Sequence, residues 1–221
     1  MAIFECSVCG ASFQVSEAAL AKYPGWTPRY CREHSPSKKR SGGGRGGARP
    51  SRPAAGATEE GRLTPSEVLA RFDDPGQDGI YTDGSCSPNP GPGGWGVVWV
   101  KQGEVFAERH GAVADTTNNR MELKALIEAF GLIAVHAPEQ SVTVYSDSNL
   151  CVQTINDWAP GWARRGWKRK GGPIANLDLV KELHALAQAH PEARVEWIRA
   201  HAGHRWNEYA DSLATTWMRE G

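Results

Sequence analysis

A basic stretch without large apolar side chains divides the sequence in two. Residues 35–57 consist only of Ser, Pro, Lys, Arg, Gly and Ala, with six basic residues and no acidic one. Such a stretch cannot bury enough apolar surface to repay the entropy of ordering, so we predict a flexible linker over residues 35–62. Its charge of one sign suits nucleic-acid phosphates, although a plain solubilising tether explains it equally well.

The segment before the linker, residues 1–34, has too few apolar residues for a core of its own. It contains two pairs of metal-ligating residues in a CxxC…CxxH pattern, namely Cys6, Cys9, Cys31 and His34. Nitrogen and sulfur ligands in two close pairs suit tetrahedral Zn²⁺, whose binding would fold so short a segment. We predict a small zinc-ribbon-like module, with unrelated thiols as the alternative. Nucleic acid and protein stay equal candidates for its partner, because the segment has no strong basic patch.

The remaining sequence alternates between strand and helix patterns. Residues 63–78 begin with Thr64-Pro65-Ser66-Glu67, a capping box with proline at the first helical position, so a short accessory helix is expected. Residues 79–221 then give the order β-β-β-α-β-α-α-β-α. The first strand is expected over residues 80–83, closed by Gly84. The long helix is expected over residues 119–135, with Glu122 in its first turn, and the terminal helix over residues 208–219. This order predicts an α/β domain with a mixed sheet between helices.

Composition and charge exclude several classes of protein. The chain has 25 basic and 25 acidic residues, but residues 79–221 hold 14 basic and 16 acidic residues, so the linker holds the basic excess. No apolar stretch approaches the roughly 20 residues that span a bilayer. Five cysteines, an odd number, argue against a disulfide scaffold, and the first ten residues lack the pattern of an export signal. We expect a cytoplasmic monomer that does not associate with membranes.

Four acidic residues stand out because they lie close to the ends of predicted elements or within the terminal helix. They are Asp83, Glu122, Asp147 and Asp211. Taken singly, each has an ordinary explanation as a turn former, a charge favoured by a helix dipole, or a solvated side chain. These independent explanations do not account for all four once their sequence context is considered.

The sequence around these acids resembles the type-one ribonuclease H family. The matching motifs are Tyr81–Cys86, Asn89–Gly96, Thr116–Leu123, Tyr145–Ser148, and His201–His204 with Asn207, Glu208 and Asp211. They occur in the family's order and spacing across residues 79–221. The resemblance implies a ribonuclease-H-like five-stranded sheet flanked by helices. It also implies an endonuclease that hydrolyses the RNA strand of RNA–DNA hybrids without sequence preference, leaving 5′-phosphate and 3′-hydroxyl ends.

The resemblance further implies roles for individual residues. Asp83 would bridge two Mg²⁺ ions, which Mn²⁺ could replace, and Glu122, Asp147 and Asp211 would complete the ligand set. Two hard cations suit this reaction because charge must be neutralised at both the attacking and the leaving oxygen. His201 would move a proton or help to release product, whereas His204 is expected to be structural. A hybrid-binding protein without turnover and a nuclease for DNA or structured RNA are the alternative functions.

Hybrid recognition is expected from two surfaces. The family's minor-groove positions are matched by Cys86, Asn89, Asn118, Asn119 and Asn149, the last in place of a common Gln. Thr117 with Asn89 would form a pocket for a DNA phosphate. A basic protrusion would hold the DNA strand through Trp158, Trp162, Arg164, Arg165, Trp167 and Lys168. The alternatives are helix capping by the two adjacent asparagines and a solvated charge run anchored by core tryptophans.

Overall fold

The protein is represented by a computed structural model, which describes residues 2–6, 11–15, 17, 21, 27, 63–137, 140–200 and 202–220. The chain divides into two compact units, residues 1–53 and 54–221. The predicted linker, residues 35–62, lies outside the described residues, so its boundaries stay predictions.

The described part of the first unit is a two-stranded hairpin. Strands β1 (Ala2–Glu5) and β2 (Ser12–Val15) pair antiparallel, with Phe4 opposite Phe13. The two rings lie 6.1 Å apart between centroids. Cys6 is buried and its N–H donates to the carbonyl of Ala11, which closes the hairpin. The other predicted zinc ligands, Cys9, Cys31 and His34, lie outside the described residues, so the zinc module stays a prediction.

The second unit is a five-stranded mixed sheet flanked by helices, which confirms the predicted fold. Its strands lie in the order β5-β4-β3-β6-β7, with β5, β4 and β3 antiparallel and β6 and β7 parallel to β3. The described elements are α1 (Pro65–Arg71), β3 (Gly79–Cys86), β4 (Gly91–Lys101), β5 (Glu104–Thr116), α2 (Asn118–His136), β6 (Val142–Ser146), α3 (Asn149–Gln153), a π-helical turn (Thr154–Trp158), α4 (Ala159–Arg164), α5 (Leu177–Ala189), β7 (Ala193–Trp197), α6 (Arg205–Ala214) and α7 (Trp217–Glu220).

Each face of the sheet is covered by its own apolar layer. Side chains alternate between the two faces along a strand, so neighbours such as Ile80 and Tyr81 enter different cores. One layer packs α2 and α5 against the sheet around Phe130. The other packs α1 and α6 around Val68 and Trp206. Within the described ranges, no helix combines the length and the apolar character needed to cross a bilayer.

Several element boundaries differ from the sequence-based expectation. Strand β3 continues through Gly84 to Cys86, because β4 pairs with it as far as Gly93. The capping box of α1 is confirmed: the Thr64 N–H donates to the Glu67 carboxylate at 2.7 Å, and the Thr64 hydroxyl accepts from the Glu67 N–H. The terminal helix, expected over residues 208–219, instead begins at 205 and is interrupted after 214.

Candidate active site

Asp83 lies within strand β3 rather than at its end. It is paired with Gly96 of β4, and its side chain is only 8% exposed. The expectation that the strand closes at Gly84 was wrong, because this glycine serves packing rather than a turn. A Cβ at Gly84 would overlap the backbone of Met121 and Glu122, so only glycine lets α2 cross β3 this closely.

The close crossing at Gly84 brings Glu122 to the site. The Gly84 N–H donates to the Glu122 carboxylate, whose residue is 5% exposed. Glu122 lies beyond the first turn of α2, contrary to expectation, because Thr117 caps the helix and Asn118 is its first residue. The helix dipole therefore does not explain this acid, since its effect fades beyond the first turn.

A second glycine brings the terminal helix to the same strand. A Cβ at Gly96 would overlap the backbone of Ala210 and Ala214, so α6 lies directly on β4 opposite Asp83. Asp211 is half-buried on this helix, and its carboxyl group is close enough to Asp83 to help raise the pKa of Asp83.

Asp147 directly follows β6, the parallel neighbour of β3. Thr82 of β3 pairs with Ser146 of β6, so Asp83 and Asp147 are the next residues along the two paired strands. Two groups fix Asp147: the indole N–H of Trp197 donates to its backbone carbonyl at 3.0 Å, and the Asn207 side-chain amide donates to its carboxylate at 3.2 Å. Neither role was predicted. Both partners lie 50 or more residues away in sequence, beyond the range of local patterns.

Asp83, Glu122, Asp147 and Asp211 form what we call the carboxylate centre. The first three each offer an oxygen within 4.8 Å of the others. Burial, followed by the neighbouring carboxylates, raises the pKa of Asp83 and the pKa of Glu122 well above their ordinary values. Within the described part of the chain, Glu122 Oε2 and Asn207 Oδ1 are buried without a hydrogen-bond partner.

These features fit a divalent cation. Buried like charges are unfavourable unless a positive charge compensates them, and a buried oxygen without a donor is free to act as a ligand. The donors are all oxygens, which suits hard cations such as Mg²⁺ or Mn²⁺ better than zinc, which favours nitrogen and sulfur ligands. The centre therefore has the composition of a divalent-metal site.

Of the two histidines in the segment His201–His204, the structure describes His204. His201 lies outside the described residues, so its catalytic role stays a prediction. His204 immediately precedes α6, and its Nδ1 lies 3.0 Å from the Asp74 carboxylate. This contact agrees with the structural role expected for His204.

Two of the predicted minor-groove residues, Cys86 and Asn89, lie at the last residue of β3 and in the connection that follows it. The Cys86 thiol faces the carbonyl groups of Pro88, Gly91 and Thr116 at 3.2–3.5 Å. The Asn89 side chain accepts a hydrogen bond from the Asn118 N–H at 3.2 Å. These contacts fold the β3–β4 connection onto the start of α2.

The start of α2 shows that helix capping does not explain the two adjacent asparagines, Asn118 and Asn119. Thr117, not either asparagine, is the cap, and its hydroxyl accepts from the Arg120 N–H. Asn118 is half-buried, whereas Asn119 and Asn149 are exposed. The three asparagines therefore have no capping role that would account for them.

The predicted basic protrusion surrounds the connection between α4 and α5. Trp158 and Trp162 pack 5.9 Å apart, and Trp158 is 39% exposed. Trp162 and Trp167 pack against the α2 layer, and Trp167 meets His184 edge-on. These two tryptophans are thus anchors, as the alternative proposed. The predicted basic residues Arg164, Arg165 and Lys168 are all exposed.

Comparison with known proteins is consistent across sequence and structure. The family model "RNase H" matches residues 76–219. A protein named "Ribonuclease H" from Saccharopolyspora erythraea is 46% identical over 136 residues, covering 61% of this chain and 86% of that protein. Another of that name from Cupriavidus pinatubonensis is 48% identical, covering 61% of this chain and 90% of that protein.

Two solved structures share the fold. The crystal structure of LC9-RNase H1, described as a type 1 RNase H with the type 2 active-site motif, is 37% identical with a TM-score of 0.53, covering 62% of this chain and 70% of that one. The solution structure of the PFV RNase H domain has a TM-score of 0.54 at 22% identity, covering 64% of this chain and 93% of that domain. The second likeness concerns the fold alone.

Proposed function

The chain belongs to the RNase H family, and we propose that it hydrolyses the RNA strand of RNA–DNA hybrids. The observation that carries the proposal is the convergence of Asp83, Glu122 and Asp147 within 4.8 Å inside this fold. The cut would be sequence-nonspecific and would leave 5′-phosphate and 3′-hydroxyl ends.

The carboxylate centre would hold two Mg²⁺ ions, which Mn²⁺ could replace. Bound there, divalent cations supply charge neutralisation at the attacking and leaving oxygens and activate a water molecule. Asp83 is the best candidate for the bridging ligand, because it interacts with each of the other three acids. Asn207 and Trp197 would act as positioning residues, since both bond to Asp147 and limit its movement. His201 would exchange a proton during turnover or product release.

Substrate recognition would use short polar groups on the minor-groove side. Asn89, Asn118, Asn119, Asn149 and the Cys86 segment suit 2′-hydroxyl groups, which both donate and accept hydrogen bonds. The bond from Asn118 to Asn89 supports this role, because it holds two of these residues together. Thr117 would contribute to a DNA-phosphate pocket from the same turn.

The DNA strand would lie along the basic protrusion. Arg164, Arg165 and Lys168 are exposed, and Trp158 presents part of its ring beside them. Cations next to an exposed ring suit phosphates and sugar faces without selecting a base. Trp162 and Trp167 would support this surface from the core side.

The first unit would bind Zn²⁺ through Cys6, Cys9, Cys31 and His34. The buried position of Cys6 at the closed end of the hairpin supports this proposal, because a ligand there would be held by β1 and β2. Thiolate ligands fit a reducing compartment, so we place the protein in the cytoplasm. We propose that it is a monomer. Metal analysis of purified protein tests the site: the wild type should contain one zinc per chain, and Cys6→Ser should lose it.

Cleavage of end-labelled nucleic acids in Mg²⁺ tests the catalytic proposal. The substrates are an RNA–DNA hybrid, an RNA duplex, a DNA duplex and single-stranded RNA, and Asp83→Asn is the inactive control. Cleavage of the hybrid's RNA strand alone, abolished in the control, is the expected result. Tight hybrid binding without cleavage in both Mg²⁺ and Mn²⁺ would instead indicate a binding protein, and cleavage of a DNA duplex would indicate a different nuclease.

A further inference from the structure

A bidentate ion pair joins the first turns of α2 and α5. The Arg120 guanidinium donates from Nη1 to Asp178 Oδ1 at 3.1 Å and from Nη2 to Asp178 Oδ2 at 2.7 Å, across 58 residues of sequence. Two parallel hydrogen bonds fix direction as well as distance, which a single contact between flexible side chains does not. The pair therefore restrains how the start of α2 lies against the start of α5.

The same two helices are packed together further along. Val180 and Leu183 of α5 share an apolar core with Leu126 of α2. The Phe130 ring of α2 lies 6.3 Å from the ring of His190, which directly follows α5. Apolar contacts hold the helices together without a preferred direction, and the ion pair adds a directional contact at their starts.

The start of α2 carries residues proposed to read the minor groove. Asn118 and Asn119 directly precede Arg120, and the Asn118 N–H donates to the Asn89 side chain at 3.2 Å. The Arg120 N–H donates to the Thr117 hydroxyl, so Arg120 belongs to the same turn. A contact that holds the Arg120 side chain therefore also restrains this turn.

Helix α5 supports the basic protrusion. The Trp167 ring meets His184 edge-on, with ring centroids 5.5 Å apart, and Lys181 Nζ lies 5.7 Å from the centre of the Trp167 ring. Lys168, one of the exposed cations of the protrusion, is the next residue along the chain. The position of this cation therefore depends on α5.

The space between the two surfaces is open. A cavity of about 100 Å³ is lined by Asn119 on one side and by Trp158 and Arg169 on the other. Because this space is not filled by side chains, the separation of the two surfaces depends on the helices beneath them. The contact between Arg120 and Asp178 joins those helices at the ends nearest to the cavity.

We propose that Arg120 and Asp178 are positioning residues for hybrid binding, whose ion pair fixes the spacing between the minor-groove residues and the basic protrusion. The two strands of a duplex lie at a set separation, so surfaces already held at that spacing bind both strands with less reorganisation. The inference rests on the proposed function, in which these surfaces hold the hybrid.

The sign of the effect at Asp178 tests the proposal. Asp178→Asn removes a negative charge beside a surface for a polyanion, so charge alone predicts tighter binding, whereas loss of positioning predicts weaker binding. We expect the Kd of the hybrid, measured by fluorescence anisotropy in EDTA, to rise about three- to fivefold. In Mg²⁺, KM should rise by a similar factor with kcat within about twofold of the wild type.

Glu182→Gln is the matched control, because it removes the same charge at an exposed position of the same helix. Its Kd should equal the wild-type value or lie below it. A Kd that rises as much for Glu182→Gln as for Asp178→Asn would overturn the proposal, since the effect would then not depend on the ion pair.

A double-mutant cycle with Arg120→Gln separates positioning from direct contact with a phosphate. The double variant keeps the net charge of the wild type, and it should raise the Kd no further than either single variant. Tighter binding by Asp178→Asn with weaker binding by Arg120→Gln would overturn the proposal, because Arg120 would then bind the hybrid itself. Unchanged Kd values with only a lowered unfolding midpoint would also overturn it, since the pair would then serve stability alone.

The proposed function can fail separately. A wild type that binds the hybrid but does not cleave it would overturn the function, while the Kd values in EDTA would still decide the role of the ion pair. A wild type that does not bind the hybrid would overturn both.

Discussion

The carboxylates of the centre and those at the edges of the same unit have opposite environments. Asp83 and Glu122 are buried beside other acids, and their pKa values are raised by burial and by those neighbours. Asp78 and Asp178 are exposed and hydrogen-bonded. Backbone N–H groups of the β4–β5 turn lower the pKa of Asp78, and the Arg120 guanidinium lowers the pKa of Asp178.

This difference has opposite consequences for stability. A carboxyl group whose pKa is lowered by folding stabilises the protein above its unfolded pKa and loses that contribution as the pH falls. A carboxyl group whose pKa is raised by folding destabilises the protein above its unfolded pKa, because its charge is less favourable in the folded state than in the unfolded state. The edge acids therefore support the fold, whereas the carboxylate centre opposes it in the absence of metal. Such an arrangement is typical of functional sites.

The largest expected effect is on cleavage. Asp83→Asn should lower the rate of hybrid cleavage on the order of 10³-fold, because metal ions provide several kcal/mol of charge stabilisation in such reactions. Binding of the hybrid, measured by fluorescence anisotropy, should stay within about threefold of the wild type, because the surfaces proposed to bind it are elsewhere. Asp73→Asn is the control, and cleavage by Asp83→Asn at the wild-type rate would contradict the assignment.

The glycine at the crossing of β3 and α2 gives the next largest effect. Gly84→Ala should destabilise the protein by about 2–4 kcal/mol, because its Cβ overlaps backbone atoms that cannot move independently of the helix. Urea unfolding measures the change. Gly171→Ala is the matched control, since nothing lies within 4 Å of a Cβ there. Equal stability of the two variants would show that the close crossing is not required.

Asp83→Asn should stabilise the metal-free protein although it abolishes cleavage. Removing one buried charge should raise the free energy of unfolding at neutral pH by roughly 1–3 kcal/mol. The gain should be small near pH 4, where the unfolded carboxyl group titrates, should grow as the pH rises towards the raised pKa of the folded Asp83, and should level off above it. Unfolding in EDTA at several pH values measures it. A gain that falls with rising pH would refute the explanation.

Asp178→Asn, at an exposed edge of the unit, should lower the free energy of unfolding, whereas Asp83→Asn should raise it. Loss of its ion pair with Arg120, whose N···O distance is 2.7 Å, should lower the free energy of unfolding by about 0.3–1 kcal/mol. The side chains are 36% and 59% exposed, so salt should screen the pair and the difference from wild type should shrink in about 1 M NaCl. A higher free energy of unfolding for Asp178→Asn would contradict the proposed difference between the carboxylate centre and the exposed acids.

Local sequence patterns predicted the order of the elements, whereas the four acids were singled out by their sequence context and by the resemblance to the ribonuclease H family. The capping box at Thr64 is a property of neighbouring residues, so it is visible without a structure. Glycine was misinterpreted at residue 84, because a turn and a close crossing have the same local signature. The helix cap at Thr117 was missed for a similar reason, since Thr and Asn are both common caps.

The supporting contacts of the site could not be predicted in this way. Trp197 bonds to Asp147 from 50 residues away, and Asp74 bonds to His204 across 130 residues. Periodicity reports which face of an element is buried, but not which residue of a distant element it meets. The contact of Trp197 depends on the topology of the sheet, which places the ends of β6 and β7 side by side.

We infer that the carboxylate centre opposes folding by itself and that divalent cations compensate it. Thermal unfolding of the wild type and Asp83→Asn, in EDTA and then at increasing Mg²⁺ concentrations, tests it directly. We predict that the variant is more stable in EDTA, and that the wild type gains stability with the logarithm of Mg²⁺ concentration while the variant gains little. A wild type that is more stable than Asp83→Asn in EDTA, or an equal response of both proteins to Mg²⁺, would contradict the claim.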